Sequence, residues 1–164
     1  STIHTADHKF TVSETLDSPG VIALDYFFGR TTRYPSTVTA LTTVGLLQLD
    51  KSDYLSIINN DAVSLFNFLN LLSLNSQLAV EGILALSSGD LRKRIAYWIV
   101  ALTDRDARDI VMECRHRDLY TVFGVQRQSL IVALDTMKDE GIIDYEPNRI
   151  LVPDRKKLLE VLDL

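Results

Sequence analysis

The alternation of apolar and polar positions changes character along this chain of 164 residues. Residues 1–50 carry short β-rich runs, Lys9 to Glu14, Val21 to Phe28, Thr37 to Thr43 and Gly45 to Leu49, separated by the turn-forming Asp17-Ser18-Pro19-Gly20 and Tyr34-Pro35-Ser36. They predict a β-sandwich or roll. Asp50 or Ser52 then caps a short helix through Ile58, and Asn60-Asp61 supplies cap chemistry for a long helix ending at Ser87-Ser88-Gly89.

Within the long helix Ala62, Leu65, Leu69, Leu72, Ser76, Ala79, Ile83 and Leu86 follow the alternating three- and four-residue spacing of a coiled-coil seam. About 25 residues rising 1.5 Å each make a rod of ~38 Å. A second apolar set, Phe66, Phe68, Leu71, Leu74 and Leu78, lies off the seam and is expected to pack on the chain's own domains. Two apolar faces on one helix favour a parallel or near-parallel homodimer over burial inside one chain. Ser64, Asn67, Asn70 and Ser73 interrupt the richest apolar stretch, so no transmembrane helix is expected.

From residue 90 the pattern becomes that of compact helices. Asp90 caps Leu91 to Leu102, with Ile95, Trp98, Ile99 and Leu102 as the buried stripe. Ile110-Val111-Met112 reads as a short extended piece, followed by a helix from Asp118 to Phe123, a turn at Gly124-Val125, and a helix from Arg127 to Glu140 that Gly141 ends. Ile143-Asp144-Tyr145 and Arg149 to Val152 flank Glu146-Pro147-Asn148 as a hairpin, and Lys156 to Leu162 form a closing helix. The order is helix, helix-turn-helix, wing.

Composition narrows the function. Lys+Arg 17 against Asp+Glu 22 leaves a charge of −5, and 46% hydrophobic residues describe a globular chain rather than a disordered tail. Residues 1–89 hold 4 cations and 8 acids, residues 90–164 hold 13 and 14, so a compositional boundary falls near Gly89. The single cysteine, Cys114, excludes an internal disulfide framework and a cysteine-rich zinc site, and a reducing cytoplasm fits best. The N-terminus shows no signal-peptide pattern and no initiator Met, which suggests a fragment. The three His residues, His4, His8 and His116, are not spaced as metal ligands, no glycine loop cradles phosphate, and Cys114 with His116 is poor evidence for a nucleophile pair. The chain is not read as an enzyme.

A short helix, a glycine-centred turn and a second amphipathic helix make the DNA-binding helix-turn-helix, whose second helix enters the major groove. Here the first helix spans Arg117 to Phe123, the turn is Gly124-Val125-Gln126, and the second helix starts at Arg127. Leu119, Val122, Val125, Leu130, Ala133, Leu134 and Met137 are the apolar contacts expected to lock the pair. Arg127, Gln128 and Ser129 remain at the start of the second helix, where an Arg fork suits guanine O6/N7, Gln suits adenine N6/N7, and Ser reaches a base or phosphate. Arg115 and Arg117, with His116 between them, and Arg149 in the wing are candidate phosphate contacts; their plain alternative is a solvated charge run beside Asp118.

At these residues the sequence resembles the Crp/Fnr family of bacterial transcription regulators, the cyclic-AMP receptor protein group. The resemblance rests on Thr37-Val38-Thr39-Ala40 through Leu47-Gln48-Leu49, the long helix, Asp90 to Ala96, Gly124-Val125-Gln126-Arg127-Gln128-Ser129, and Asp139-Glu140-Gly141-Ile142-Ile143 with its hairpin. It implies an α+β architecture: residues 1–60 as the end of a β-roll (a double-stranded β-helix, cyclic-nucleotide-binding-like), 61–89 as the dimerisation helix, and 90–164 as a winged helix-turn-helix. It also implies that more of the roll precedes Ser1, and that Tyr26, Phe27 and Phe28 lack cover without it.

The family's Gly-Val-Ser-Arg-Glu-Thr stands here as Gly-Val-Gln-Arg-Gln-Ser, so Arg127 matches the base-reading Arg, Gln128 replaces a Glu, and Val132 stands where well-known members carry a second base-contacting Arg. The operator is expected to differ accordingly. Val21-Ile22-Ala23-Leu24-Asp25 lacks the Glu that holds a cyclic nucleotide's ribose, and Tyr34-Pro35 follows Arg33 where Arg-Ser or Arg-Thr is usual. Cyclic AMP is therefore not the expected effector. Arg30, Arg33 and Tyr34 are the candidate effector-binding residues, read otherwise as solvated loop groups, and no cofactor is assigned. The implied partners are double-stranded DNA, a second copy of the chain through Leu65, Leu69, Leu72, Ser76, Ala79, Ile83 and Leu86, an unknown small-molecule effector and RNA polymerase. The competing reading is a protein-assembly module that has lost specific DNA binding.

Overall fold

The computed structural model describes residues 2–4, 10–22, 24–87 and 89–163. The chain divides into two compact units, one of Ser1–Gly20, Pro35–Val38 and Gly82–Leu164, the other of Val21–Tyr34 and Thr39–Glu81.

The first unit is built on a five-stranded antiparallel sheet in the order β1-β2-β3-β5-β4, with β1 Thr2–His4, β2 Phe10–Thr15, β3 Arg108–Cys114, β4 Asp144–Glu146 and β5 Arg149–Val152. Strand β2 alternates in burial, so Phe10, Val12 and Glu14 point inward and Thr11, Ser13 and Thr15 outward. Phe10 and Val12 join the main core with Ile95, Ile99, Ile110, Met112, Leu134 and Ile150. Phe10 meets Trp98 edge to face at 5.4 Å, and Trp98 meets Phe123 at 5.7 Å. Glu14 Oε2 accepts from the Asp104 amide at 2.8 Å, and Asp17 pairs with Arg108.

The helices of this unit follow their sequence signals. Asp90 caps α3 (Leu91–Ala101) by accepting from the Arg92 amide at 2.9 Å. Helices α4 (His116–Phe123) and α5 (Arg127–Asp139) follow β3. Helix α6 (Arg155–Val161) is capped by Asp154 and buries Arg155, whose Nη2 donates to the Val100 carbonyl at 3.2 Å and Nε to Thr103 Oγ1 at 3.2 Å.

These contacts correct the expected β-roll. Residues 10–15 form a strand as the sequence suggests, but its partner is β3, not a strand of residues 21–49. Among the described residues of 21–28 the only regular element is a single turn of 3-10 helix, Leu24–Tyr26, and residues 38–50 have no strand. A strand is stable only when its amides and carbonyls find a neighbouring strand. The two described strands of the N-terminal half are both paired in the C-terminal sheet, and Leu41, Leu46 and Leu47 stay exposed.

In the second unit α1 (Lys51–Asn60) begins after Asp50, which occupies the cap position without a side-chain bond. Asp61 caps α2 (Ala62–Ser87), accepting from the Ser64 amide at 3.0 Å and from the Ser64 hydroxyl; these bonds hold its carboxyl below the usual carboxylate range. Tyr26, Phe27 and Phe28 do not stand uncovered. Phe27 packs on Tyr54 at 5.0 Å, Phe28 on Phe68 at 5.6 Å, and the Lys51 ammonium lies 4.6 Å from the Phe28 ring centre. Asn75 Nδ2 donates to Asp25 Oδ1 at 2.6 Å.

All eight seam positions of α2 are exposed, Leu69 at 52% and Ile83 at 66% among them. The covered stripe is Ser64, Phe68, Leu71, Asn75, Leu78, Gly82 and Ala85. Phe66 and Leu74, expected to pack within the chain, are exposed instead; at 100° per residue Phe66 lies 200° around the helix from Phe68. By length and composition α2 is also able to cross a membrane, with a mean hydropathy of 1.3, despite the interrupting polar residues.

Candidate nucleic-acid interface

The turn between α4 and α5 is set by Gly124, whose φ of 63° lies in the left-handed region that a side chain disfavours. The Gly124 amide donates to the Thr121 carbonyl at 3.3 Å and the Val125 amide to the Tyr120 carbonyl at 3.0 Å, the paired bonds that close a helix end before the chain turns. A guanidinium secures the same corner: Arg94 of α3 donates to the Phe123 carbonyl and lies 5.7 Å from the Phe123 ring centre. Residues 29 apart in sequence carry no periodic signal of such a contact, and Arg94 was not legible as a positioning residue.

Leu130, Ala133, Leu134 and Met137 bury one face of α5 against the core with Leu119 and Phe123 of α4. Of the expected locking contacts, Val122 departs: it is half exposed. That burial fixes which way α5 faces. Arg127, Gln128 and Ser129 are all exposed in its first turn, and Gln126 at the cap makes no side-chain bond to the helix amides. The first amides of a helix have no internal acceptors, so this end presents N–H donors and a positive dipole beside three polar side chains.

The rest of α5 is different. Asp135 accepts from Tyr145 Oη at 2.5 Å, and Lys138 Nζ pairs with Asp144 at 2.6 Å. The bond to Asp135 pushes the Tyr145 phenol up to about 12. His116 Nε2 lies 2.9 Å from the Glu146 carbonyl, and its ring meets Tyr145 at 5.5 Å. The β4–β5 hairpin is thereby tied to both helices. Tyr145 and His116 do this through contacts that no spacing rule announces.

The candidate phosphate contacts are placed less uniformly. Arg115 precedes α4 and is committed to the nearly buried Asp118, Nε to Oδ2 at 2.8 Å, although its own side chain is largely open to solvent. Arg117 is exposed in the first turn of α4. Arg149 is exposed at the start of β5, directly across from Glu113 on one side and Glu146 on the other. In the other unit Arg30 and Arg33 are exposed in irregular chain, and Tyr34 packs edge to face on Tyr26 at 5.5 Å. Cys114 is buried, which pushes its thiol up to about 12. Among the described residues no group of three His, Cys, Asp or Glu side chains is placed to hold a metal ion.

Residues 93–161 match the Crp-like helix-turn-helix domain. The chain is 25% identical over 126 residues to a protein named cyclic AMP receptor protein from Thermus thermophilus, an alignment covering 77% of this chain and 58% of that one. The chain thus spans little more than half the length of this curated relative. Two solved structures of transcriptional regulators from the same organism, one titled CRP family and one CRP/FNR family, align at 22% and 20% identity with TM-scores of 0.41 and 0.43. Those alignments cover 63% and 66% of this chain and 56% and 55% of theirs. The segment that matches the Crp-like helix-turn-helix domain, residues 93–161, is the one that carries the turn at Gly124 and the exposed start of α5.

Proposed function

We propose that the chain is a sequence-specific DNA-binding transcriptional regulator that acts as a homodimer on a palindromic promoter site. The observation that carries this reading is the joint exposure of Arg127, Gln128 and Ser129 on the first turn of a helix whose opposite face is locked in the core. Arg127 bonds guanine O6/N7, Gln128 bonds adenine N6/N7, and Ser129 with the free amides of the helix start holds a base edge or a phosphate. The β4–β5 hairpin serves as the wing. Arg149 in the wing and Arg117 in the first turn of α4 are the phosphate contacts, and Arg115 contributes through its exposed side chain while paired to Asp118.

Homodimerisation uses the α2 seam of Leu65, Leu69, Leu72, Ser76, Ala79, Ile83 and Leu86. Its support is the uniform exposure of those positions, which water leaves uncompensated and a second copy would cover. A lipid setting suits α2 less well: Ser64, Asn67, Asn70, Ser73, Gln77 and Glu81 bring a polar group to almost every turn. The protein works in the cytoplasm, by binding and not by catalysis. A net charge of −5 opposes indiscriminate DNA affinity, so binding relies on local cations and on two copies.

The sensor reading changes with the fold. Neither the ribose-binding Glu nor a described strand stands at Val21–Asp25, and cyclic AMP is not the effector proposed here; Arg30, Arg33 and Tyr34 remain the candidate contacts for another small molecule. Selection of bound duplexes from a random pool tests the function. Enrichment of a two-fold palindrome with half-site centres about one helical turn (~34 Å) apart is expected. A stable dimer that enriches nothing would favour a protein-assembly module instead.

A further inference from the structure

Past its first turn three polar side chains of α5 are engaged within the chain, although Asp135, Lys138 and Asp139 stay at the surface. The Thr136 hydroxyl proton is used on the Val132 carbonyl at 2.8 Å, Asp135 accepts from Tyr145, and Lys138 is paired with Asp144. Between these groups Val132 is 54% exposed, while its helix neighbours Leu130, Ala133 and Leu134 are buried. Val132 lies four residues after Gln128 and so on the same face of the helix. Valine in a helix is held almost wholly in one rotamer, which makes it a fixed apolar knob.

The major-groove edges of unmodified DNA display one apolar group, the C5-methyl of thymine. Against a guanine or cytosine edge the same knob would cover a donor or acceptor and return no hydrogen bond. We propose that Val132 is a specificity-determining residue that reads a thymine methyl beside the base read by Gln128. The inference rests on the DNA-reading role of α5 given above. Four residues of helix rise ~6 Å, and stacked bases repeat every ~3.4 Å, so the thymine lies within about two base steps of the Gln128 contact.

The test uses the full chain and the duplex recovered by selection, with each thymine replaced in turn by deoxyuridine, which removes the methyl alone. Gln128→Ala first locates the base that Gln128 reads, as the position whose preference is lost. For the unaltered protein, one thymine per half-site within two steps of that base should lose about fourfold in affinity on conversion to uracil, the effect of one methyl-sized apolar contact. Val132→Ala, a change at an exposed position, should bind the thymine and uracil duplexes equally. Site-specific binding with no uracil-sensitive thymine near the Gln128 base, or sensitivity that persists in Val132→Ala, overturns the role of Val132 and leaves the DNA-reading role standing. Failure to bind any duplex above random sequence overturns both.

Discussion

The phenol ring of Tyr97 lies where a side chain at position 82 would begin: a Cβ on Gly82 would overlap the ring itself. The last turns of α2 and the middle of α3 therefore meet through a residue with no side chain. Elsewhere in a helix glycine is disfavoured, and exchange for alanine stabilises by about 0.5–1 kcal/mol. Here the sign should reverse. Gly82→Ala is expected to destabilise by about 1–3 kcal/mol through the displaced ring. In a Tyr97→Ala background the same exchange should stabilise, and urea unfolding of the four proteins reads both signs.

Strand β2 supplies a second prediction. Phe10 fills the core beside Trp98, so Phe10→Ala should cost about 3–5 kcal/mol and shift the Trp98 emission. An unchanged midpoint and spectrum would mean that residues 10–15 do not belong to the C-terminal sheet.

The same strand marks how far the sequence could be read. Helix α3 with its Asp90 cap, the turn at Gly124, the buried stripe of α5 and the hairpin around Asn148 all follow from spacing and cap chemistry within a few residues. Lys9 to Glu14 was recognisable as a strand for the same local reason. Its partner was not, because nothing in Phe10 or Val12 distinguishes a roll from a sheet edge about a hundred residues away. The segments at 21–28 and 37–49 have strand-like residue types, yet propensity without a pairing edge leaves them irregular. At the interface Arg127, Gln128 and Ser129 were legible from their place after the turn. Arg94, His116 and Tyr145 act through contacts across 29 residues or more of chain, or between side chains on different elements, and have no local signature.

Cys114 links burial to pH. Its ordinary value of 9.0 is pushed up to about 12 in the folded chain, chiefly by burial. The unfolded thiol ionises first as pH rises, so this contribution to stability is whole below pH 9.0 and is lost progressively toward about 12. Between about pH 8 and pH 10.5, on either side of the unfolded thiol's ordinary range, stability should fall by less in Cys114→Ala than in the unaltered protein. Alkylation at neutral pH should be slow until denaturant opens the core.

Phosphate contacts separate from base contacts by their salt dependence. Arg117→Ala and Arg149→Ala should weaken binding evenly across sequences and each reduce the salt slope by about 1 per copy of the chain. An unchanged slope for Arg149→Ala would mean that Glu113 and Glu146 across the sheet already hold it away from phosphate.

Base reading at the start of α5 is tested most directly by titrating Arg127→Ala against the selected duplex and against random duplex at one salt concentration. The expected result is a loss of about 1–3 kcal/mol on the selected site and little change on random DNA. An equal loss on both duplexes would reduce Arg127 to a phosphate contact and contradict sequence reading by this helix.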